Sequence, residues 1–558
     1  MDIPRLDIKG IKNWIMPLVI GAIVGLAASL TYAGSLYVWS IFHIAIYKLP
    51  RLVFPFILLS FLLSSLPVRI FLKRRPKDTF DSILEYYHTN PSSLNLKETL
   101  IYSVSSLSSY IFGSPVGPEG AAAVMGAGIS NKIKSTFGTS ISSQTIILTG
   151  LASGFTAIFK TPLSGFLLAL ELPYKGDLEK EPFLSAALAT ATSYLVSLAL
   201  NTPPIIYIQI TKFPSINIVV VLVSLVFGAI IGFISIGFVK LYRGFNFIAN
   251  YLMKKASFPI LILVGGLLIG FIAYFEPYSV GPGIDMLNLT LAGSIGLYAI
   301  IAILVARAST VLISFNFGAS GGFFLPSIEI GALLGYLIGT LVNPPYAVYY
   351  ALLGMAAMAA GVNKLVLVPV TFILEVVGAQ IAIPVLLTSI ASYFISWNVG
   401  IYEYQPKNKL DKGAFALEKF YINAEKQSPE ILQAIRALDI MNHNPIYIEN
   451  NKTVKDAYNL LKSKALKILP VVNADGIFEG FISIDYLANL PSRTLTIAIN
   501  NLEIRKGITA LETENLKNII EQMLNQDTDH LFVIDKAGVL RGVITEMDII
   551  RYMIKSIT

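Results

Sequence analysis

Apolar runs fill the first 404 residues, and they decide most of what such a chain can fold into. Residues 14–42 and 52–72 are each long enough to cross a bilayer core as a helix, which takes about 20 residues. Further runs cover 96–112, 144–159, 183–200, 216–239, 258–275, 295–315, 322–342, 346–361, 365–377 and 381–395. In lipid, every backbone N–H and C=O must find a partner inside the protein, so continuous runs of this kind are helices. Several are too short for a full span and are punctuated by Gly and Pro. Half-helices that meet near the membrane midplane have this signature, and they mark binding sites. A mean hydropathy of +0.66 with 14% charged residues excludes a soluble protein.

Residues 113–130 are the most informative break. Gly113, Pro115, Gly117 and Pro118 stop the helix arriving from 96–112. Glu119 follows, and then small residues lead into an apolar helix, with Gly126 and Gly128 allowing close helix approach. Pro118 suits a first helical turn, which places Glu119 among free N–H groups at the positive end of its helix. Such a glutamate in a soluble protein usually does no more than stabilise the dipole. At membrane depth an ionisable group is costly and functional by default. An anion-attracting helix end with a tethered, protonatable carboxylate is the layout of a gate.

The chain repeats internally. Gly150, Lys160 and Glu171 recur as Gly354, Lys364 and Glu375 at an offset of 204, which also carries Gly117 onto Gly321. The glycine-rich break at 318–326 is therefore the counterpart of the one at Glu119. Two related halves, each aiming a broken helix at the midplane, would bring two helix N-termini to one anion.

Residues 405–558 hold 19 basic and 19 acidic residues, so the whole net charge of +7 falls on the first 404. There the basic residues cluster at span ends: Arg5, Lys9 and Lys12 before the first run, and Lys73, Arg74, Arg75 and Lys77 after the second. By the positive-inside rule these ends face the cytoplasm. No basic and aromatic stripe points to nucleic acid. Without cysteine there is no disulfide, thiolate metal site or cysteine nucleophile. The membrane-region histidines, His43 and His88, have no evident nucleophile partner, so an enzyme is not expected, and neither is a metal site or an obligatory cofactor.

The soluble tail repeats too. Residues 469–483 parallel 531–545, each a strand, a glycine turn and a strand. Helical stretches at 453–463 and 513–524 precede them and a helix follows each. We divide the chain into a membrane domain (1–404), a linker (405–435) and two tail repeats (436–492 and 493–558).

Gly117-Pro118-Glu119-Gly120 resembles the Gly-Lys/Arg-Glu-Gly motif of the CLC family of chloride channels and proton-coupled exchangers. Gly322 to Pro326 resembles its Gly-x-Phe-x-Pro motif. Thr161 to Glu171 resembles its Pro-Leu-x-Gly…Glu stretch, and Ile401 to Gln405 the segment bearing its anion-binding tyrosine. The tail resembles a pair of CBS domains. The resemblance implies an α-helical polytopic membrane protein with two inverted-topology repeats, plus a C-terminal α/β CBS pair. It implies a homodimer in the plasma membrane, with the CBS pair cytoplasmic. Glu119 is then the gate. The amides of Phe323 and Phe324 and the Tyr402 hydroxyl hold the anion, with Gly117 and Gly120 flanking them. Thr545 and Asp548 match the CBS residues that hold a nucleotide's phosphate and ribose, with Ser483 and Asp485 in the first repeat. ATP, ADP or AMP is thus the expected tail ligand; no phosphate-binding Gly-rich loop for ATP hydrolysis is present.

Three positions depart from the family pattern. Where the family has Gly-Ser-Gly-x-Pro, this chain has Lys77 to Asp81; Thr79 is the hydroxyl left to replace the serine, and Asp78 would repel an anion that it faced. Leu172 stands where exchangers often have a second glutamate, which favours an uncoupled channel or another proton route. Pro118 replaces a basic residue beside the gate. Glu329, in an otherwise apolar helix, is a candidate for a proton path or a polar packing contact. Glu171 and Glu375 read as structural. The expected function is transport of chloride or a similar small anion through a glutamate gate. The alternatives are a proton-coupled exchanger of chloride or another anion, and a non-conducting membrane sensor.

Overall fold

The computed structural model describes residues 8–89, 91–203, 206, 213–255, 257–409, 417–418, 421–422, 424–425, 429–464, 466–488, 490, 494–526 and 528–557. The chain divides into two compact units, Met1–Lys409 and Leu410–Thr558. Much of the expected linker, and the basic residue Arg5, lie outside the described residues.

The first unit is helical, and among the described residues seven of its helices are long and apolar enough to cross a membrane. Its first half contains α1 (Ile8–Lys48), α2 (Val53–Leu72), α3 (Thr79–Thr89), α4 (Leu96–Ile111), α5 (Glu119–Phe137), α6 (Ser143–Phe159), α7 (Pro162–Glu171) and α8 (Phe183–Ala199). The second half repeats this series as α9 (Ile218–Lys255), α10 (Phe258–Phe275), α11 (Ile284–Leu291), α12 (Leu297–Phe317), α13 (Phe324–Val342), α14 (Ala347–Asn363), α15 (Leu367–Val377) and α16 (Ala382–Ile395). The neighbours repeat as well: α5 lies on α6 as α13 on α14, and α1 on α8 as α9 on α16. Equivalent helices also pair across the halves, α2 with α10 and α7 with α15, as a two-fold relation requires. This is the inverted-repeat layout.

Glycine makes the tightest crossings possible. Gly126 and Gly150 each sit against the other's carbonyl and leave no room for a Cβ; Gly331 and Gly354 repeat the contact. Here the structure corrects the sequence register. Gly126 corresponds to Gly331, and Gly117 pairs with Gly322 rather than Gly321. The link from α13 to α14 is one residue shorter than that from α5 to α6, which turns an offset of 205 into 204. The lysines that end α6 and α14, Lys160 and Lys364, both adopt left-handed backbone, at φ 57° and 58°. Each donates to a carbonyl just past the next long helix of its half, Thr202 after α8 and Ser396 after α16, where a cation suits the dipole.

The second unit holds two three-stranded sheets. β1 (Ile448–Glu449) pairs in parallel with β2 (Ile468–Val472), which pairs antiparallel with β3 (Phe478–Ser483). β4 (Thr509–Leu511), β5 (His530–Ile534) and β6 (Leu540–Thr545) repeat that order. Helices Val454–Ser463 and Leu516–Asn525 precede the hairpins, each starting at a side-chain cap, Thr453 or Asn515. Ile484–Ala488 and Glu546–Ile557 follow them. Phe478 and Phe481 of β3 meet Phe532 of β5, with ring centroids 4.5 and 5.6 Å apart, so aromatic stacking joins the two repeats.

Candidate functional site

Three chain breaks meet at one point in the membrane unit. Gly117 and Gly322 exchange backbone hydrogen bonds of 2.9 and 3.1 Å. Asp78 runs parallel to Gly321, and the Thr79 N–H donates to the Gly321 carbonyl at 3.0 Å. A Cβ on Gly120 would strike the Gly322 nitrogen and the Thr79 hydroxyl, so glycine is what lets these segments touch. The N-termini of α3, α5 and α13 therefore converge, and three positive helix ends face a common point.

Glu119 opens α5 and is fully buried. Its carboxylate does not cap its own helix as the sequence suggests. Oε1 accepts the Leu325 N–H of α13 at 3.0 Å, and Oε2 has no hydrogen-bond partner among the described residues. Gly117 and Gly322 wall this position, and a side chain on either would collide with the carboxylate. The carboxylate thus sits on the first turn of α13, beside Phe323 and Phe324, whose amides were assigned to the anion. Their rings point into separate aromatic clusters. Phe323 meets Phe238, Tyr242 and Phe315, and Phe324 meets Phe155, Phe159 and Phe372.

Tyr402 is buried and its ring lies 6.3 Å from that of Phe80 in α3. Its hydroxyl donates to Asn363 Oδ1 at 2.9 Å; the Asn363 amide donates to Ser327 at 2.7 Å, and Ser327 donates to the Phe324 carbonyl. A relay of three polar side chains thereby ties the tyrosine to the first turn of α13. The Thr79 hydroxyl donates to the Gly321 carbonyl at 3.2 Å. Asp78 caps α3 by accepting the Asp81 N–H at 2.9 Å on Oδ1, while Oδ2 is buried without a partner among the described residues. Asp81 is tied to Lys77 at 3.1 Å and to the Tyr404 N–H at 2.8 Å.

Glu329 lies one turn further along α13. Arg307 of α12 donates to its Oε2 from Nε at 3.0 Å and from Nη2 at 2.6 Å, and both side chains are fully buried. Arg307 also donates to the Gly281 carbonyl at 2.8 Å. Arg307 was missed at the sequence level, although a lone arginine inside the apolar run 295–315 is itself a signal. Asn363 and Ser327 gave no comparable signal.

Glu171 and Glu375 lie apart from this cluster. Glu171 accepts the N–H groups of Val366, Leu367 and Val368 at 2.5–3.0 Å. Glu375 accepts those of Leu163 and Ser164 at 2.7 and 2.9 Å.

In the tail, Asp548 Oδ2 accepts from the Thr545 N–H and hydroxyl at 3.0 and 2.6 Å, closing the start of Glu546–Ile557. Ser483 accepts the Tyr486 N–H at 3.2 Å. The Asp485 side chain lies outside the described residues. Burial, with Asp529 beside it, pushes the Glu546 carboxyl up to about 7, while the His530 contact lowers Asp529.

Two inverted halves, with broken helices directed at a buried carboxylate, define the inverted-repeat class of integral membrane proteins. The family described as voltage gated chloride channel matches residues 60–397, and CBS domains match 437–492 and 501–555. The chain belongs to that chloride channel (CLC) family. It is 25% identical over 312 residues to the H(+)/Cl(-) exchange transporter ClcA of Klebsiella pneumoniae, a match spanning 52% of this chain and 63% of that relative. A solved CLC-type fluoride/proton antiporter is 23% identical with a TM-score of 0.60, covering 73% of this chain and 100% of its own. A eukaryotic CLC transporter is 16% identical with a TM-score of 0.60, covering 96% and 98%. These two likenesses concern the fold.

Proposed function

We propose that the membrane unit moves chloride or a similar small anion across the plasma membrane, with Glu119 as its gate. The observation that carries this is the Glu119 carboxylate on the Leu325 N–H. A tethered anion holds the helix end that a free anion would take. Protonation, or a swing away, releases that end. The amides of Phe323 and Phe324, the Tyr402 hydroxyl and the Thr79 hydroxyl then receive the ion, and Gly117 and Gly120 let it approach. Asp78 disfavours anion entry while it is charged.

Proton-coupled exchange is the second reading. The gate itself takes up a proton, and the buried Glu329–Arg307 pair lies one turn away, which makes Glu329 a candidate for the proton route. Relatives named as exchangers and antiporters are in keeping with it. A silent pore that signals through the tail is the third reading, and the buried Asp78 carboxyl, whose Oδ2 has no partner among the described residues, favours it. The CBS pair lies in the cytoplasm and takes ATP, ADP or AMP through Thr545 and Asp548, with Ser483 and Asp485 in the first repeat. The working unit is a homodimer in the bilayer.

Anion efflux from liposomes, with and without an imposed proton gradient, tests these readings. Halide efflux alone supports the channel. Uphill proton movement driven by chloride replaces it with the exchanger, and no flux of any halide leaves the sensor.

A further inference from the structure

A cavity of about 500 Å³ opens where α4 begins and α5 ends. Lys132, Lys134, Asn95, Asn131, Leu96 and Ser143 are in its wall, and no carboxylate lines it among the described residues. Lys134 donates to Ser143 at 2.8 Å, and Asn131 to the Leu94 carbonyl at 2.8 Å, so two of the wall's polar side chains are held in place. Leu96 and Ser143 are the first residues of α4 and α6, which adds two positive helix ends to the two lysines. The chemistry suits a phosphate-bearing anion. The surroundings indicate where that phosphate comes from. Leu96, Leu100 and Phe137 beside the cavity are 40%, 54% and 62% exposed, an apolar flank suited to acyl chains. Lys97 lies over the Phe71 ring near the end of α2, 5.9 Å from its centroid, and Thr139 donates to Asn13 near the start of α1 at 2.9 Å. The cavity therefore lies at the membrane face where Lys12 and Lys73 stand, the cytoplasmic side by the positive-inside rule, where anionic lipids gather.

We propose that this cavity binds the phosphate headgroup of an anionic phospholipid of the cytoplasmic leaflet, with Lys132 and Lys134 as the recognising cations. The test is the melting temperature of the full chain in detergent, with added phosphatidylglycerol, phosphatidylcholine or millimolar inorganic phosphate. A ligand that binds the folded state alone raises it. Phosphatidylglycerol is expected to raise Tm by several degrees, and the other two to leave it unchanged. Lys132→Gln/Lys134→Gln should lose more than half of that shift, whereas Lys254→Gln/Lys255→Gln, which removes the same charge elsewhere, should keep it. Three results would overturn the proposal: an equal shift in the two double variants, an equal shift with phosphatidylcholine, or inorganic phosphate reproducing the whole effect.

Discussion

Glu171 and Glu375 exchange places across the two halves: each carboxylate closes the N-terminus of the helix that bears the other. Glu171 on α7 accepts three amides at the start of α15, and Glu375 on α15 accepts two at the start of α7. Both helices are short, 10 and 11 residues, and their ends lie where water is scarce. The carboxylates replace the solvent those amides lack.

Glutamine at either position keeps the size but loses the charge-assisted bonds. Glu171→Gln and Glu375→Gln should each destabilise the membrane unit by about 2 kcal/mol. The check is thermal stability in detergent beside anion flux per folded protein. Lower stability with an unchanged pH response of flux fits a structural role; an altered pH response at wild-type stability contradicts it.

The buried Arg307–Glu329 pair gives a second test. Removing one partner strands a buried charge, which costs about 3–5 kcal/mol. Arg307→Met should therefore express poorly, and Arg307→Met/Glu329→Met should recover much of the loss. Glu329→Gln keeps an acceptor oxygen for Arg307, so the protein that folds should retain anion flux and show reduced proton movement, at lower stability than wild type. Full proton coupling in Glu329→Gln would remove it from the proton route.

Asp78 can be varied without losing its cap, because serine also caps a helix start. Asp78→Ser should raise chloride flux at neutral cytoplasmic pH and flatten its rise on acidification, since protonating Asp78 would otherwise remove the repulsion. An unaltered profile would mean that Oδ2 does not face the path.

The tail should lose stability as pH rises, through Glu546. Its folded carboxyl titrates at about 7, above the ordinary value of 4.5, so the folded tail binds the extra proton between these values. That contribution is complete below about 4.5 and is lost through 7. Glu546→Gln should flatten this dependence and raise the melting temperature of residues 410–558 at pH 8 by about 4 °C. Equal melting curves at pH 5 and pH 8 in both proteins would refute it. Millimolar ATP or AMP should raise the same melting temperature, and Asp548→Ala should abolish the rise.

The apolar runs and the 204-residue offset made the helices and the two halves legible, because period and length are local properties. Thr545 and Asp548 stood out as nucleotide candidates from the same local pattern, whereas their bond to each other at the helix start comes from the structure. The target of Glu119 was not local. Leu325 is 206 residues distant, and nothing near Glu119 signals that Gly117 and Gly322 clear its way to the other half. Arg307 is a lone arginine in an apolar run, a signal that was passed over, and its partner Glu329 comes from another helix. The register slip at Gly322 came from a single missing loop residue; the glycine pairs 117/322 and 126/331 carry the offset of 205 before that loop, and the pairs after it carry 204.

Anion flux against external pH in Glu119→Gln is the most direct test of the gate. Glutamine keeps the shape of the side chain and removes the charge, so it no longer competes with an anion for the α13 end. The account predicts flux faster than wild type, independent of external pH and free of any proton coupling. A Glu119→Gln protein with the wild-type rate and the wild-type pH response would contradict it and reduce the Leu325 contact to a helix cap.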